Sequence, residues 1–270
     1  MNYLIADSES SIRLAVFLAV FILLAIAEAI SPRRKLQQVK LQRWINNIAI
    51  SVFNTFLVRV SFPIAGISAA LLAQERQWGL LNQYSTPAWL NIVIFLLIFD
   101  LTIYWQHRLF HVVPLLWRFH RMHHTDLDYD LTTGNRFHPA SILISSAIKL
   151  VLVIAIGASA AAILIAELLL NVTSMFNHCN LKLPLALDNM LRKIIVTPDM
   201  HRIHHSTDNF EHNNNFGFNF TWWDRLFGTY LHNPKLSHET MDIGISGLQD
   251  KKSINCLWLL IQPMRQPSES

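Results

Sequence analysis

The sequence has few charged residues and few cysteines, and both shortages narrow the class of protein. Only 15% of its 270 residues are Asp, Glu, Lys or Arg, whereas soluble domains carry about 25%. A hydrophobic fraction of 52% and a mean hydropathy of +0.30 exclude a disordered chain and argue against an ordinary soluble enzyme. The two cysteines, Cys179 and Cys256, are too few for a disulfide scaffold or a thiolate zinc finger.

Long apolar blocks are what the chain does contain, and they are typical of membrane-spanning helices. They run over 14–30, 48–73, 89–104 and 142–170. Asp7 and Glu9 precede the first block and no small-residue cleavage pattern follows it, so we interpret it as a spanning helix and not as a signal peptide. We predict an all-α, multi-pass membrane helical bundle, organised as a single integral membrane domain over residues 1–270.

The second block is the least uniform, because Asn54, Arg59 and Pro63 interrupt it. A charge in the middle of a membrane costs roughly 2.5–3.5 kcal/mol on insertion scales. Arg59 therefore either extends toward the interface, which we favour, or lines a cavity.

The fourth block predicts a helical hairpin. Its middle is Gly157-Ala158-Ser159, and each half, at about 1.5 Å per residue, makes a helix of about 22–27 Å. The hydrocarbon core is about 30 Å thick, so each half is slightly short of a crossing. The alternative is one long tilted helix. We therefore expect about three spans plus a hairpin that turns near Gly157.

Basic residues predict the orientation of the bundle. Residues 31–43 carry five Lys or Arg, and short cytoplasmic loops carry the excess of such residues. This loop is expected in the cytoplasm, at the inner (plasma) membrane if the protein is bacterial. The third block then ends on the same side, just before His107. We interpret the net charge of +4 as membrane topology, and no nucleic-acid partner is expected.

Histidine is the residue in excess. Of 13 histidines, nine lie within 107–124 and 201–212. They form the patterns HRLFH over 107–111, HRMHH over 120–124 and HRIHH over 201–205. Residues three or four apart share a helix face, so each pattern can present imidazoles to a metal. Eight imidazoles are too many for one ion but suit two, and imidazole suits iron, zinc and copper. The chain has no Glu-x-x-His motif, which excludes a carboxylate-type di-iron bundle.

These patterns give the sequence a family resemblance. Together with NRFHP over 135–139, FNHCN over 176–180, NNFG over 214–217 and WWDRLFGTY over 222–230, they resemble the fatty acid hydroxylase and sterol desaturase superfamily of membrane histidine-rich di-iron enzymes. The bacterial sterol desaturase-like branch, near alkylglycerol monooxygenase, is the most similar. The resemblance covers about residues 90–232, which is the expected catalytic region, within a membrane bundle that carries a cytosolic, histidine-rich helical cap.

The resemblance also implies a set of site residues. Two iron ions are expected on His107, His111, His120, His123, His124, His178, His201, His204 and His205. His138 and His212 are expected as further ligands or as supports for ligands. Asp100 is a candidate carboxylate for orienting an imidazole, and Asp224 is expected to fix a turn or contact an arginine. Three aromatic residues, Phe110, Trp117 and Phe119, are hypothesised to line the substrate entry.

The implied activity is hydroxylation or desaturation of a lipid C–H bond with O2 and two electrons. The substrate is expected to be a fatty acyl chain, a sterol-like lipid or an ether lipid, and the electron donor a separate ferredoxin or flavoprotein reductase. Zinc has no redox chemistry, so iron is the expected metal. Three alternatives stay open: a membrane metal transporter, a non-redox di-zinc lipid hydrolase or isomerase, and a silent lipid-binding relative.

Overall fold

A computed structural model describes residues 2–64, 66–248 and 251–265, with side chains described from residue 8 and excepting that of Lys251. This part of the chain forms twelve α-helices and no β-strand. The helices are α1 (Asn2–Ile30), α2 (Lys40–Ser61), α3 (Ile67–Glu75), α4 (Ala88–Val112), α5 (Pro114–His124), α6 (Pro139–Ile156), α7 (Ala160–Asn177), α8 (Leu185–Leu191), α9 (Pro198–His204), α10 (Asn209–His212), α11 (Trp222–Leu226) and α12 (Cys256–Ile261).

Four of the described helices are long and apolar enough to cross a membrane: Ser8–Ile30 within α1, and α4, α6 and α7. Leucine, isoleucine, valine and alanine dominate them, and many of their large side chains point outward, where a lipid phase would surround them. The chain is therefore an integral membrane protein built as an all-α bundle, as predicted.

The fourth apolar block is the predicted hairpin. Its first helix, α6, ends at Gly157, which has the left-handed φ of 72° that favours glycine. A Cβ at this position would lie 2.8 Å from Asn82 Nδ2 and 2.9 Å from the Trp78 carbonyl oxygen, so the turn also needs the absence of a side chain. Ser159 then caps α7, because its side chain accepts a hydrogen bond from the Ala162 amide.

The second apolar block differs from a single spanning helix. It divides into α2 and α3, and neither is among the four helices long and apolar enough to cross a membrane. The break contains Pro63, which has no amide hydrogen to donate, and Gly66, with a positive φ of 57°. Both residues interrupt a helix, so composition overestimated the continuity of this block.

One end of the bundle collects the histidine-bearing segments. Val113 adopts an extended conformation before Pro114, which occupies the first turn of α5, so α4 and α5 are separate helices joined without a loop. The end of α7 packs against α9. The ends of α4 and α7 and the whole of α5 and α9 thus meet at this end of the bundle.

A buried polar network holds the chain that follows α5. Arg43 of α2 pairs with Asp126 at 2.8 Å and with Asp130 at 2.5 Å, and all three side chains are fully buried. Arg136 donates to the Met122 carbonyl, near the end of α5. Removing one partner of such a network would leave a buried charge unpaired. Because Arg43 belongs to α2 and Asp126 follows α5 closely, the network anchors the end of α5 to α2.

Candidate metal centre

The structure brings nine histidines into two groups. Site A consists of His107, His111, His120, His124 and His204, and site B consists of His123, His178, His201 and His205. Within each group, one ligand atom from every residue lies within 4.8 Å of the others. Each group has the size and donor type of one metal site. The nine residues are those that the sequence predicted as ligands.

The sequence patterns are shared between the two sites. In α5, His120 and His124 belong to site A, whereas His123 belongs to site B. In the third pattern the assignment is reversed, because His204 belongs to site A and its two partners to site B. Residues four apart share a helix face. The histidine that lies between such a pair, His123 or His204, points toward the other site. The second and third patterns therefore link the two sites, whereas both histidines of the first pattern, His107 and His111, belong to site A.

Backbone carbonyls set the tautomer of three imidazoles. The Nδ1 atom of His107 donates to the Phe216 carbonyl at 2.8 Å, that of His204 to the Asn214 carbonyl at 2.8 Å, and that of His178 to the Ser174 carbonyl at 2.7 Å. A carbonyl oxygen only accepts, so Nδ1 carries the hydrogen and Nε2 carries a lone pair. This is the usual arrangement of metal-bound imidazoles.

The Nε2 atoms of these imidazoles face other ring nitrogens. The two Nε2 atoms of His107 and His204 are 3.0 Å apart. His178 Nε2 lies 3.1 Å from the Nε2 atoms of both His123 and His201. In the first pair both nitrogens carry lone pairs, so neither can donate to the other. A cation between them would resolve the contact, and this donor set fits a transition metal.

Other ring nitrogens at the two sites are buried with no hydrogen-bond partner among the described residues. Both nitrogens of His111 and of His205 are in this condition, as is one nitrogen of each of four further ligand candidates. Buried polar atoms are normally satisfied. This concentration of unsatisfied nitrogens is a second observation that the residues fit bound metal.

Burial keeps the imidazoles outside the spans neutral. It lowers the pKa well below the ordinary value of histidine for His120, His123, His124, His201, His204 and His205, and neighbouring imidazoles lower it further. The pKa of His178 falls to about 3 for the same first reason. Neutral imidazole is the form that binds metal, so the site is prepared for ligation at neutral pH.

The turn over 214–217 supports site A, and sequence reasoning gave it no role. Its carbonyls at Asn214 and Phe216 accept the hydrogen bonds from the two imidazoles described above. The Asp224 carboxylate accepts from the Phe216 and Gly217 amides, both at 2.8 Å. A Cβ on Gly217 would lie 2.5 Å from that carboxylate. The NNFG and WWDRLFGTY motifs therefore act together, and Asp224 fixes the turn.

Asp100 holds the chain that follows this turn. Its carboxylate accepts from the Asn219 and Phe220 amides, both at 3.2 Å, and from Trp223 Nε1 at 2.8 Å. No imidazole is among the hydrogen-bond partners of Asp100 in the described residues. The sequence had suggested that Asp100 orients an imidazole, whereas in the structure it holds the backbone of the loop.

His138 and His212 occupy different positions. His138 caps α6, because its Nδ1 atom accepts a hydrogen bond from the Ala140 amide at 3.1 Å. Its Nε2 atom donates to the Leu260 carbonyl at 3.2 Å. Both ring nitrogens are engaged and the residue is outside both sites. The buried His212 ring lies 4.7 Å from that of His111 and 4.6 Å from that of His124. It borders site A and is not one of the five residues of that site.

Two cavities approach the sites from different directions. The larger, about 670 Å³, lies between the helices, and its lining includes His107, His120 and His123, so it reaches both sites. The smaller, about 320 Å³, is lined by His111, Trp117 and His212 among others. Of the three aromatic residues hypothesised to line the entry, only Phe110 lines the larger cavity. The Phe119 ring instead packs against His138.

Comparison with known proteins identifies a matching family and several relatives of this chain. Residues 92–229 match the model of the fatty acid hydroxylase family. An ornithine lipid hydroxylase from Rhizobium tropici is 31% identical over 86% of this chain and 70% of its own length. An alkylglycerol monooxygenase from Xenopus tropicalis is 27% identical over 78% of this chain, which covers 46% of that protein. Methylsterol monooxygenase 2-2 from Arabidopsis thaliana is 26% identical over 57% of this chain and 59% of its length. No solved structure matches.

Proposed function

The chain belongs to the fatty acid hydroxylase family, and from this premise we propose that it is a membrane-bound di-iron oxygenase acting on a lipid. Its relatives are named as lipid hydroxylases and monooxygenases, which supports an oxidoreductase. The observation that carries the proposal is the pairing of two buried imidazole groups on one cavity between membrane helices.

The nine histidines of sites A and B are proposed to hold two iron ions, one at each site. Bound iron would supply the redox chemistry with O2 that acid–base side chains lack and zinc cannot provide. Hydroxylation consumes one C–H bond, O2, two electrons and two protons, and yields C–OH and water. Desaturation removes two hydrogens from adjacent carbons with the same reagents and yields C=C and two waters.

The protein's own residues position the lipid and exclude water. Phe110, Phe137 and Phe218 line the cavity with His107 and His123, and the Phe137 ring stacks on that of His123 with centroids 4.4 Å apart. This apolar wall beside the ligands favours an alkyl segment next to the metal sites. The proposed substrate is a fatty acyl chain, a sterol-like lipid or an ether lipid. The similarity to an ornithine lipid hydroxylase adds an amino-acid lipid to the classes worth testing.

The electrons are proposed to come from a separate ferredoxin or flavoprotein reductase. We place the metal sites on the cytoplasmic side of the membrane, the inner membrane if the protein is bacterial. The support is the basic loop over 31–43, in which Arg33 pairs with Asp199 of α9 at 3.1 Å. This contact puts the basic loop and the third histidine pattern on the same side, and basic loops are cytoplasmic.

The position of the histidines argues against a metal transporter. Only His107 and His111 lie within a candidate span, in its last turns, and the other seven lie beyond the spans. Ion pathways place their ligands within the membrane. A di-zinc hydrolase or isomerase on the same scaffold is the second candidate, because imidazole also suits zinc.

Comparative lipid mass spectrometry of cells with and without the gene tests the proposal. A lipid that gains one oxygen atom, or loses two hydrogen atoms, only in cells with the gene is the expected result. The same cells expressing His204→Ala should lack the change, with protein levels matched by immunoblot. An unchanged lipid profile, or purified protein that contains zinc and consumes no O2 with lipid, would overturn it.

A further inference from the structure

The larger cavity has a charged end as well as a histidine end. Five residues with charged side chains line it: Glu9, Arg13, Arg59, Lys149 and Glu167. Three of the helices that carry them, α1, α6 and α7, are candidate spans. Charges at membrane depth are costly and usually mark a functional site, so the four charges on these three helices need an account. Arg59 lies on α2, which is not among the candidate spans.

Four of these charges neutralise each other. Arg13 pairs with Glu9 at 2.6 Å and also contacts Glu167, and Lys149 lies 3.5 Å from Glu167. Two cations and two carboxylates thus form one connected network with no net charge. It accounts for every charged residue on the cavity wall except Arg59.

Arg59 is the uncompensated charge. It lines the cavity, and the described residues offer it no hydrogen bond or ion pair. Its position on the wall favours the cavity-lining interpretation over extension toward the interface. Its side chain is exposed, so the positive charge lies at the open side of the cavity that the metal centre also borders.

Buried polar atoms on the same wall also lack partners. Asn54 Oδ1, Gln106 Oε1, Asn135 Nδ2 and Ser141 Oγ are buried and have no hydrogen-bond partner among the described residues, and all four residues line this cavity. The set includes donors and acceptors. A purely hydrocarbon occupant would leave them all unsatisfied, so we expect the occupant of the cavity to carry polar groups as well as an alkyl segment.

The distance between the two ends follows from the helices. Asn54 donates to the Phe137 carbonyl, and the Phe137 ring stacks on the His123 imidazole, so Asn54 marks the histidine end. Arg59 lies five residues further along α2, about 7–8 Å away at the rise of an α-helix. A group bound at Arg59 therefore lies toward the end of α2 that is further from the histidines.

We propose that Arg59 binds the anionic group, a carboxylate or a phosphate, of the lipid that occupies the larger cavity. The guanidinium pairs with either anion through parallel hydrogen bonds, and the unpartnered amides and hydroxyl are available to other polar groups of the same lipid. The anionic group and the reacting carbon are then at a fixed separation, so Arg59 selects which carbon reaches the metal sites. This last step rests on the proposed function, whereas the binding step does not.

Equilibrium binding to the purified protein in detergent tests the binding step without turnover. The probes are radiolabelled oleate, oleyl phosphate and oleyl alcohol, which share one chain and differ in the head. Arg59→Gln is expected to weaken binding of at least one anion about tenfold or more and to leave oleyl alcohol unchanged. The anion with the larger loss identifies the group that is recognised.

Two variants complete the experiment. Arg59→Lys keeps the charge but loses the parallel hydrogen bonds, so it should retain only part of the affinity. Arg76→Gln removes an exposed arginine outside the cavity and should change nothing. Metal content equal to wild type shows that each variant is folded. The proposal is overturned if Arg59→Gln binds both anions as wild type does, or if oleyl alcohol loses affinity equally. Neither outcome depends on whether the protein oxidises lipid.

Discussion

Sites A and B use the same ligand type but are supported in different ways. At site A, His107 and His204 donate to carbonyls of the 214–217 turn, which Asp224 holds in place. At site B, His178 donates to the Ser174 carbonyl one turn earlier in its own helix. Site A thus depends on a turn assembled from distant parts of the chain, and site B depends on the end of α7.

The two sites also differ in access. Site A borders both cavities, because His107 and His120 line the larger one and His111 lines the smaller one. Of the residues of site B, His123 lines the larger cavity and none lines the smaller one. A site with more openings and a more remote support should exchange its metal more easily. Site A is therefore expected to be the more labile of the two.

Removing one histidine from either site should have the largest effect on metal content and activity. His204→Ala is expected to lose the metal of site A, and His201→Ala the metal of site B, because each substitution removes one buried imidazole of that site. Both variants should have no detectable lipid oxidation. Elemental analysis of anaerobically purified protein measures the metal, at two ions per chain for wild type and one for each variant. Two ions and normal product in either variant would contradict the assignment of that residue.

Changing the support of the turn should affect only site A. Asp224→Asn replaces one of the two oxygens that accept from two amides and from Thr229 Oγ1 at 2.7 Å with a group that cannot accept. Residues that support ligands typically contribute 10–100-fold to metal affinity or activity. We expect a loss of that size at site A, measured by metal titration of the His201→Ala background. Asp242→Asn changes an exposed carboxylate and is the control. Equal weakening of site B would show that the turn supports both sites.

Acid should empty both sites, with site A emptied first. Burial places the pKa of the site histidines outside the spans below the unfolded value near 6.5. As pH falls below about 6.5 the unfolded chain binds protons that the folded chain does not, so the metal-free protein loses stability. Protons also compete directly with metal.

The measurement is metal content and thermal midpoint between pH 7.5 and 4.5. His201→Ala reports on site A and His204→Ala reports on site B. Full metal occupancy at pH 4.5, or a metal-free protein whose midpoint rises as pH falls, would refute the expectation.

The smallest effect is expected at a histidine that belongs to neither site. His138→Ala removes the cap of α6, which should cost about 1 kcal/mol and lower the thermal midpoint by a few degrees. Its metal content should stay at two ions per chain. Loss of one ion would show that His138 is a ligand after all.

Local sequence determined the elements and the candidate ligands. Two short apolar halves around Gly157 specify a hairpin, because glycine accepts the left-handed turn and each half alone is nearly long enough to span. The clustered imidazoles predict a metal centre, because three- and four-residue spacing repeats on a helix face. The second apolar block was misleading, because average hydropathy does not register the break that Pro63 and Gly66 cause.

Only the tertiary structure decided which imidazole serves which site and what the polar residues around them do. His123 and His124 are adjacent in sequence, yet they belong to different sites, because neighbouring side chains on a helix diverge and packing decides which partner each one meets. The roles of Asp100 and the 214–217 turn depend on backbone carbonyls and amides, which have no signature in the sequence. Asp224 was expected to fix a turn or contact an arginine, and only the structure identified the 214–217 turn as the one it fixes. The place of Arg59 on the cavity wall likewise follows from the packing of the helices that form the cavity.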